Sequence, residues 1–466
     1  MLFNSIEFIL FLIIVFILYY LPFVKKYQVV ILILASLFFY SFYQPELLLL
    51  LLFSVGINIV TSYQIVYRRT KYQKIIALCG VTTNLSVLAL FKYSSLFAQS
   101  FLSQSNSFGD LLISIPLPIG ISFFTFQGIS LVIDVYSEKY VSNKNLVCVS
   151  FMEHAKKTLF YIAFFPQLVA GPIVKAHEFI PQIKFKRLKE IQWNRCFRDI
   201  VIGYFLKTVV ADNLKDFTFW IDYPYFLGLS SGKLFAMLIG YSGQIFADFA
   251  GYSLIAIGIA RLFGYNLKVN FYFPYISTSF KEFWKRWHIS LSSFLLEYLY
   301  IPLGGNRKSK KRTYFNLFLT MLLGGLWHGA AWSYAVWGAF HGFALIIERL
   351  LSRKVNFNAG YVIKIMKAII VFSFVTLAWL LFKLPDFNHV ILYFKALFSN
   401  GGVGDKETLF YIFIYTFPVF AYHGYYLLKS NGIISKNKWD YVIFGIMLFL
   451  IIVNSGSSGA FIYFQF

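Results

Sequence analysis

The sequence predicts an all-α protein that passes through a membrane many times, and three observations carry that prediction. Of the 466 residues, 59% are hydrophobic and only 13% charged, with a mean hydropathy of +0.67; a soluble chain of this length needs far more polar surface. The apolar residues gather in runs long enough to span a hydrocarbon core, while Lys and Arg sit in short clusters between them, as cytoplasmic loops do under the positive-inside bias. Aromatic residues make up 21% of the chain and supply anchors for both bilayer interfaces. The runs amount to roughly eleven to thirteen membrane segments, several of them tilted or re-entrant.

The net charge of +22 raises the question of nucleic acid. Its distribution between apolar runs answers it as membrane topology instead. Cys79, Cys148 and Cys196 are an odd number without paired spacing, so no disulfide framework is predicted. The histidines show no metal-ligand spacing, and no metal centre is predicted.

In chain order, residues 6–22 form the first span, with neither a basic leader nor a small-residue cleavage site. Lys25 and Lys26 follow directly, which places them in the cytoplasm and the N-terminus outside. Runs at about 28–43, 46–66 and 75–97 continue the scaffold. In 115–136, Pro116, Pro118 and Gly120 either break a span that lines a cavity or introduce a helix from a loop. Pro166, Gly171, Pro172 and Pro181 interrupt 162–183, which reads as kinked or re-entrant backbone. His177 and Glu178 read as solvated interface residues, with a grip on a substrate group as the alternative. Spans at about 198–212 and 230–247 lead to 248–267, where Asp248 and Arg261 inside an apolar run need partners and are candidates for a polar cavity, interface placement being the alternative. Spans at about 361–382, 408–428 and 440–454 complete the chain. Residues 1–466 are expected to form one membrane domain, with N-terminal helices to 110, core blocks over 115–350 and C-terminal helices with an aromatic tail over 355–466.

The core is the stretch from Phe280 to Gly342. Phe280, Phe283, Trp284, Trp287 and Leu291 follow a helical stripe, with Lys281, Lys285 and Arg286 off it, so a helix resting in the cytoplasmic interface is predicted. The block RKSKKR at 307–312 marks a cytoplasmic loop. Fifteen helical residues beyond Thr313, at ~1.5 Å each, His328 lies about 22 Å higher, at membrane depth. A buried imidazole is held neutral, the form a general base requires. From spacing alone, His328 is a base or a hydrogen-bonded core histidine. Gly324 and Gly325 beside it permit close approach.

WKRWHISLS (284–292), YIPLGGNR (300–307) and LWHGAAWSYAVWGAFHG (326–342) resemble the signature blocks of the membrane-bound O-acyltransferase family. PIGISFFTFQGISLVIDVY, FPQLVAGPIVKAHEFIPQI and DFAGYSLIAIGIARLFGY resemble its bacterial branch typified by the alginate O-acetyltransferase membrane subunit. The likeness runs through about 115–350 and returns in FIYFQF. YIPLGGNR favours the polysaccharide O-acetyltransferase branch over the teichoic-acid D-alanyl branch.

The resemblance implies a ring of tilted helices around a central tunnel. A cytosolic thioester, acetyl-CoA or an acyl-carrier protein, enters from one side and the acceptor from the other. It implies that His328 is the catalytic histidine and that His288 is the family's second histidine, which positions substrate or lines the thioester path; His341 reads as structural. Neutral His328 takes the acceptor's hydroxyl proton while the thiolate leaves. Trp287, Trp327, Trp332, Trp337 and Asp248 are candidates for the tunnel wall or for positioning substrate, against an ordinary core or interface role for each aromatic. The basic residues at 281, 285, 286 and 307–312 either attract coenzyme A phosphates or set topology. Lys436 and Lys438 place the last span's start in the cytoplasm, so the C-terminus is expected outside. FIYFQF resembles a motif that returns to the outer funnel, which would make Tyr463 a transient acyl carrier; a tail docked in the interface is the alternative.

The expected activity is therefore O-acetylation of an extracytoplasmic polysaccharide from the bacterial cytoplasmic membrane, through a partner transferase. D-alanyl-type transfer from a carrier protein and a glycan or lipid transporter are the competing classes. A transporter predicts internal repeats, and the chain shows no convincing one.

Overall fold

The computed structural model describes residues 1–67, 71–102, 107–168, 171–351, 360–432 and 440–457. The protein is an all-α polytopic membrane protein: every regular element among the described residues is helical. Leu47–Tyr67, Gln73–Phe101, Ser231–Leu262 and Val362–Lys383 are long and apolar enough to cross a membrane. Ile6–Tyr20 and Lys25–Ser41 reach that length only together and are bent by 116° at their break, either a broken span or a re-entrant loop. The other apolar runs fold as shorter or broken helices, including Ile121–Ser137 and Asp440–Val453.

The chain divides into two compact units, Met1–Ile200 with Ile255–Lys268, and Val201–Leu254 with Val269–Phe466. In the first, Ser5 caps the opening helix by accepting from the Phe8 amide at 3.2 Å. Pro116 and Pro118 lie ahead of the Ile121–Ser137 helix, which starts after Gly120 at φ 78° and runs unbroken; the prolines introduce this helix and do not interrupt it. Inside the unit Asn58 and Asn84 exchange side-chain hydrogen bonds at 3.1 and 3.0 Å, each worth about 0.6 kcal/mol in a bilayer.

The stretch 162–183 is broken, as its prolines predict, into short helices at Phe165–Leu168 and Ala176–Phe179. Its backbone stays satisfied by side chains of neighbouring helices. The Phe165 amide donates to Ser36 at 3.1 Å, Ala176 to Ser130 at 3.2 Å and His177 to Asp134 at 3.2 Å. The His177 ring also meets Asp134 Oδ2 at 2.8 Å, so the buried aspartate anchors it. Arg261 pairs with Asp199 in this unit.

The second unit carries the core stretch. The Lys310–His328 and Trp332–Leu351 helices meet through glycine: a Cβ on Gly325 would fall 2.3 Å from the Tyr334 carbonyl oxygen, and one on Gly338 would fall 2.4 Å from that of Met321. Only the absence of both side chains lets these backbones touch. The stripe from Phe280 to Leu291 departs from the single helix predicted for it. One helix ends at Arg286, His288 takes a left-handed φ of 43°, and a second runs Ile289–Leu295. The break is a tertiary effect. Tyr272 donates its amide to the Arg286 carbonyl at 2.9 Å, while Asn270 accepts from the amides of Ile289 at 2.9 Å and Ser290 at 3.3 Å. Neither Gly nor Pro marks the position.

Candidate active site

His328 is the last residue of its helix, and Gly329 leaves in extended backbone. The imidazole is 3% exposed and walled by aromatic rings. Trp327 and Phe382 lie 5.1 Å from it and Trp337 lies 5.2 Å from it, all edge-on. His288, fully buried at the break between its two helices, lies 6.2 Å from His328, 5.9 Å from Trp327 and 4.6 Å from Phe249. The structure thus brings together His328, His288, Trp327 and Trp337 from the sequence-derived set. His341 packs against Trp337 at 4.7 Å and Trp284 at 5.1 Å.

Two cavities lie in the second unit, and the smaller reaches this cluster. The smaller, about 320 Å³, is lined by His328 and Trp337 together with Leu295, Met321 and Gly324, and by the polar Lys281, Asn306 and Arg349. Next to Asn306 in the chain, residues 307–312 are exposed. The larger cavity, about 530 Å³, is lined by Ala330, Ala331 and Tyr334 and by Lys207, Asp212 and Asp248. The chain from His328 to Trp337 therefore borders both. Trp287 lines neither: it sits 1% exposed with Trp379 and Phe271, each 4.9 Å away. Trp332 is 53% exposed and lines neither as well.

Lys207 and Asp212 escaped the sequence reading. Lys207 Nζ lies 2.6 Å from Asp212 and 2.8 Å from Asp248, all three buried. In an α-helix residues five apart point about 140° away from each other. Here the turn Phe205–Ala211 is π-helical, and that brings them together. A Cβ on Gly251 would fall 2.9 Å from the Lys207 amide, so glycine admits the π turn against the Ser231–Leu262 helix. The available signal was a lysine inside an apolar run.

Asn454 to Ser457 dock on the same segment. The Gly456 amide donates to the Thr208 carbonyl at 2.9 Å, and Asn213 donates to that of Asn454 at 3.0 Å. Tyr463 lies outside the described residues. Among the described residues no group of three or more His, Cys, Asp or Glu is placed to hold a metal ion.

The family model for the membrane-bound O-acyltransferase family matches residues 37–385. The chain belongs to this family. Within it, the chain is 39% identical over 339 residues to the probable alginate O-acetylase AlgI of Pseudomonas aeruginosa, covering 72% of this chain and 62% of the relative. It is 36% identical over 355 residues to the peptidoglycan O-acetyltransferase of Helicobacter pylori, covering 71% and 66%. The teichoic acid D-alanyltransferase of Bacillus subtilis is more distant, at 27% over 291 residues, covering 58% and 70%. The matches thus span 62% to 66% of the length of the first two relatives. The alginate O-acetylase-like branch is the one that the signature blocks resemble.

Proposed function

We propose that this member of the membrane-bound O-acyltransferase family moves an acetyl group from cytosolic acetyl-CoA across the bacterial cytoplasmic membrane, for O-acetylation of an extracytoplasmic polysaccharide. The carrying observation is that the segment from His328 to Trp337 borders two cavities, with His328 on the smaller and Ala330, Ala331 and Tyr334 on the larger. The smaller suits the donor. Its Lys281 and Arg349 meet phosphate charge at the mouth, and its apolar interior takes the thioester arm. The larger takes the acceptor, and together the two make up the tunnel.

His328 serves as general base. Its neutral imidazole removes the acceptor's hydroxyl proton as the oxygen bonds to the thioester carbonyl carbon. The carbon–sulfur bond then breaks, and the thiolate leaves with the proton that His328 returns to it. Trp327, Trp337 and Phe382 pack around the ring and keep out water that would hydrolyse the thioester. His288, fully buried and lining neither cavity, acts on the thioester through Trp327 and His328, whose rings it packs against.

Tyr463 is the proposed acyl relay, delivering to a partner transferase outside. Asn454 to Ser457 are anchored against Thr208 and Asn213, and the neighbouring Asp212 and Lys215 line the larger cavity. Six residues from Ser457 reach at most about 20 Å, enough to enter a cavity that adjoins the anchor. The test of the function is acetyl-CoA turnover by purified protein in nanodiscs. Wild type is expected to consume the thioester and a folded His328→Ala variant to lose that activity; equal turnover by both would overturn the assignment.

A further inference from the structure

In the first unit, a cavity of about 200 Å³ carries surplus positive charge. Lys186, Arg187 and Arg261 line it against a single acid, Glu190. Arg261 shares its charge with Asp199, which lies outside the lining. One net positive charge remains after both carboxylates are counted. All three cations can be reached: Arg187 is exposed, Lys186 is half-buried, and the Arg261 side chain keeps 19% of its surface exposed.

Two reciprocal amide clamps fix its walls. Gln28, itself buried, accepts from the Lys186 amide at 3.0 Å and donates to the Lys186 carbonyl at 2.9 Å. Gln182 does the same at Asn266, another lining residue, at 2.9 and 3.1 Å. The Lys186 stem lies across Gly264, where a Cβ would fall 2.9 Å from its Cδ, and its ammonium rests 4.7 Å from the centre of the Tyr265 ring. The carbonyls at the nearby helix end would repel an anion, but Tyr20 donates to that of Leu262 at 2.7 Å and Tyr19 to that of Phe263 at 3.1 Å. Basic residues that serve only membrane topology need none of these restraints. A binding site gains from them, because little ordering is left to be done when the ligand arrives.

Size and surroundings choose the anion. Pockets that enclose a whole small molecule run to about 300–1,000 Å³, so this one admits a charged group and leaves the rest of its molecule outside. There, chain neighbours of the lining residues are apolar and exposed: Phe185, Leu188 and Trp193. Trp193 meets Phe16 of the Ile6–Tyr20 helix edge-on at 6.1 Å, which joins this apolar rim to an apolar helix. Gln28 also sets the cavity close to Lys25 and Lys26, at the level expected to be cytoplasmic. We propose that this cavity binds the phosphate of an anionic phospholipid of the cytoplasmic leaflet, with the acyl chains against Phe185, Leu188 and Trp193. The site is separate from the acyl-transfer chemistry and does not depend on it.

The full chain in detergent micelles is titrated with phosphatidylglycerol, and native mass spectrometry reads the lipid-bound fraction. Lys186→Gln combined with Arg187→Gln is expected to weaken binding about tenfold or more, each basic group near a lipid headgroup contributing on the order of fivefold. Lys184→Gln combined with Lys189→Gln removes the same charge from the same loop at positions that do not line the cavity; it is expected to weaken binding less than about threefold, since exposed charges are screened. Phosphatidylcholine has a phosphate but no net charge, and is expected to bind at least about tenfold more weakly than phosphatidylglycerol. Inorganic phosphate at the lipid's concentration is expected not to displace it. Should the double variant at 186 and 187 not fold, Arg187→Gln against Lys189→Gln carries the same comparison on two exposed side chains. Equal losses in the two pairs would overturn the cavity and leave only diffuse attraction by a basic loop. Wild type that binds no phosphatidylglycerol, or binds phosphatidylcholine as tightly, would overturn it too. Displacement by inorganic phosphate would overturn the lipid as the source of the anion.

Discussion

The rings of His288 and His328 lie 6.2 Å apart, one at a break between two short helices and the other at the end of a long one. Both are buried, and Trp327 touches both. Their places in the chain give them different tolerances to substitution.

Removing His328 is expected to remove general-base catalysis, about 10²–10⁴-fold in turnover, with the melting temperature little changed in His328→Gln. His288 carries a backbone constraint as well, since its φ is 43°. His288→Asn suits that conformation, whereas His288→Val is expected to cost roughly 1–2 kcal/mol more. Thermal unfolding of the two variants measures the difference, and equal melting temperatures would contradict it.

Lys207 sits between two buried aspartates. Lys207→Met takes the cation from Asp212 and Asp248 together, and the expected loss of stability is on the order of 3–5 kcal/mol. Combining it with Asp212→Asn and Asp248→Asn is expected to restore a large part of that stability. A triple variant no more stable than Lys207→Met would show that the charges are not the cause.

Lys281 and Arg349 line the smaller cavity, the proposed donor site. Replacing both with Gln is expected to raise the acetyl-CoA KM about tenfold at low salt, and less as ionic strength screens the attraction. An N-acetylcysteamine thioester lacks phosphates and serves as the comparison. A KM for it that rose equally would place the effect elsewhere.

Gly338 faces the Met321 carbonyl oxygen at a hypothetical Cβ distance of 2.4 Å. Gly338→Ala is expected to push the two helices of the hairpin apart, costing about 1–3 kcal/mol and displacing His328 from its aromatic wall. Gly424, where a Cβ would meet nothing within 4 Å, is the control position. Circular dichroism melts together with turnover read both effects.

Much of this was legible in the sequence because it depends on local chemistry. Hydropathy runs and charge clusters mark the membrane helices, since a spanning backbone must satisfy its own hydrogen bonds. Prolines and glycines located the broken stretch at 162–183, and Gly324 and Gly325 announced a close approach, which Gly325 makes to Gly338. His328 stood out because an imidazole at membrane depth needs a reason.

Other features depended on what each residue meets. The stripe from Phe280 to Leu291 has helical periodicity, yet hydrogen bonds from Tyr272 and to Asn270 break it at His288. Asp248 and Arg261 each needed a partner that the sequence does not name; Asp248 pairs with Lys207 and Arg261 with Asp199. Trp287 looked like a tunnel residue and packs instead among Trp379, Phe271 and Phe283. By itself the sequence determined the membrane class and its helical character and singled out His328 as a candidate, because composition, hydropathy and short-range spacing carry those. Tertiary structure alone decided which charges pair, where the cavities lie and which aromatics surround His328. Those contacts join residues far apart in the chain, and side-chain periodicity says which face is buried without saying against what.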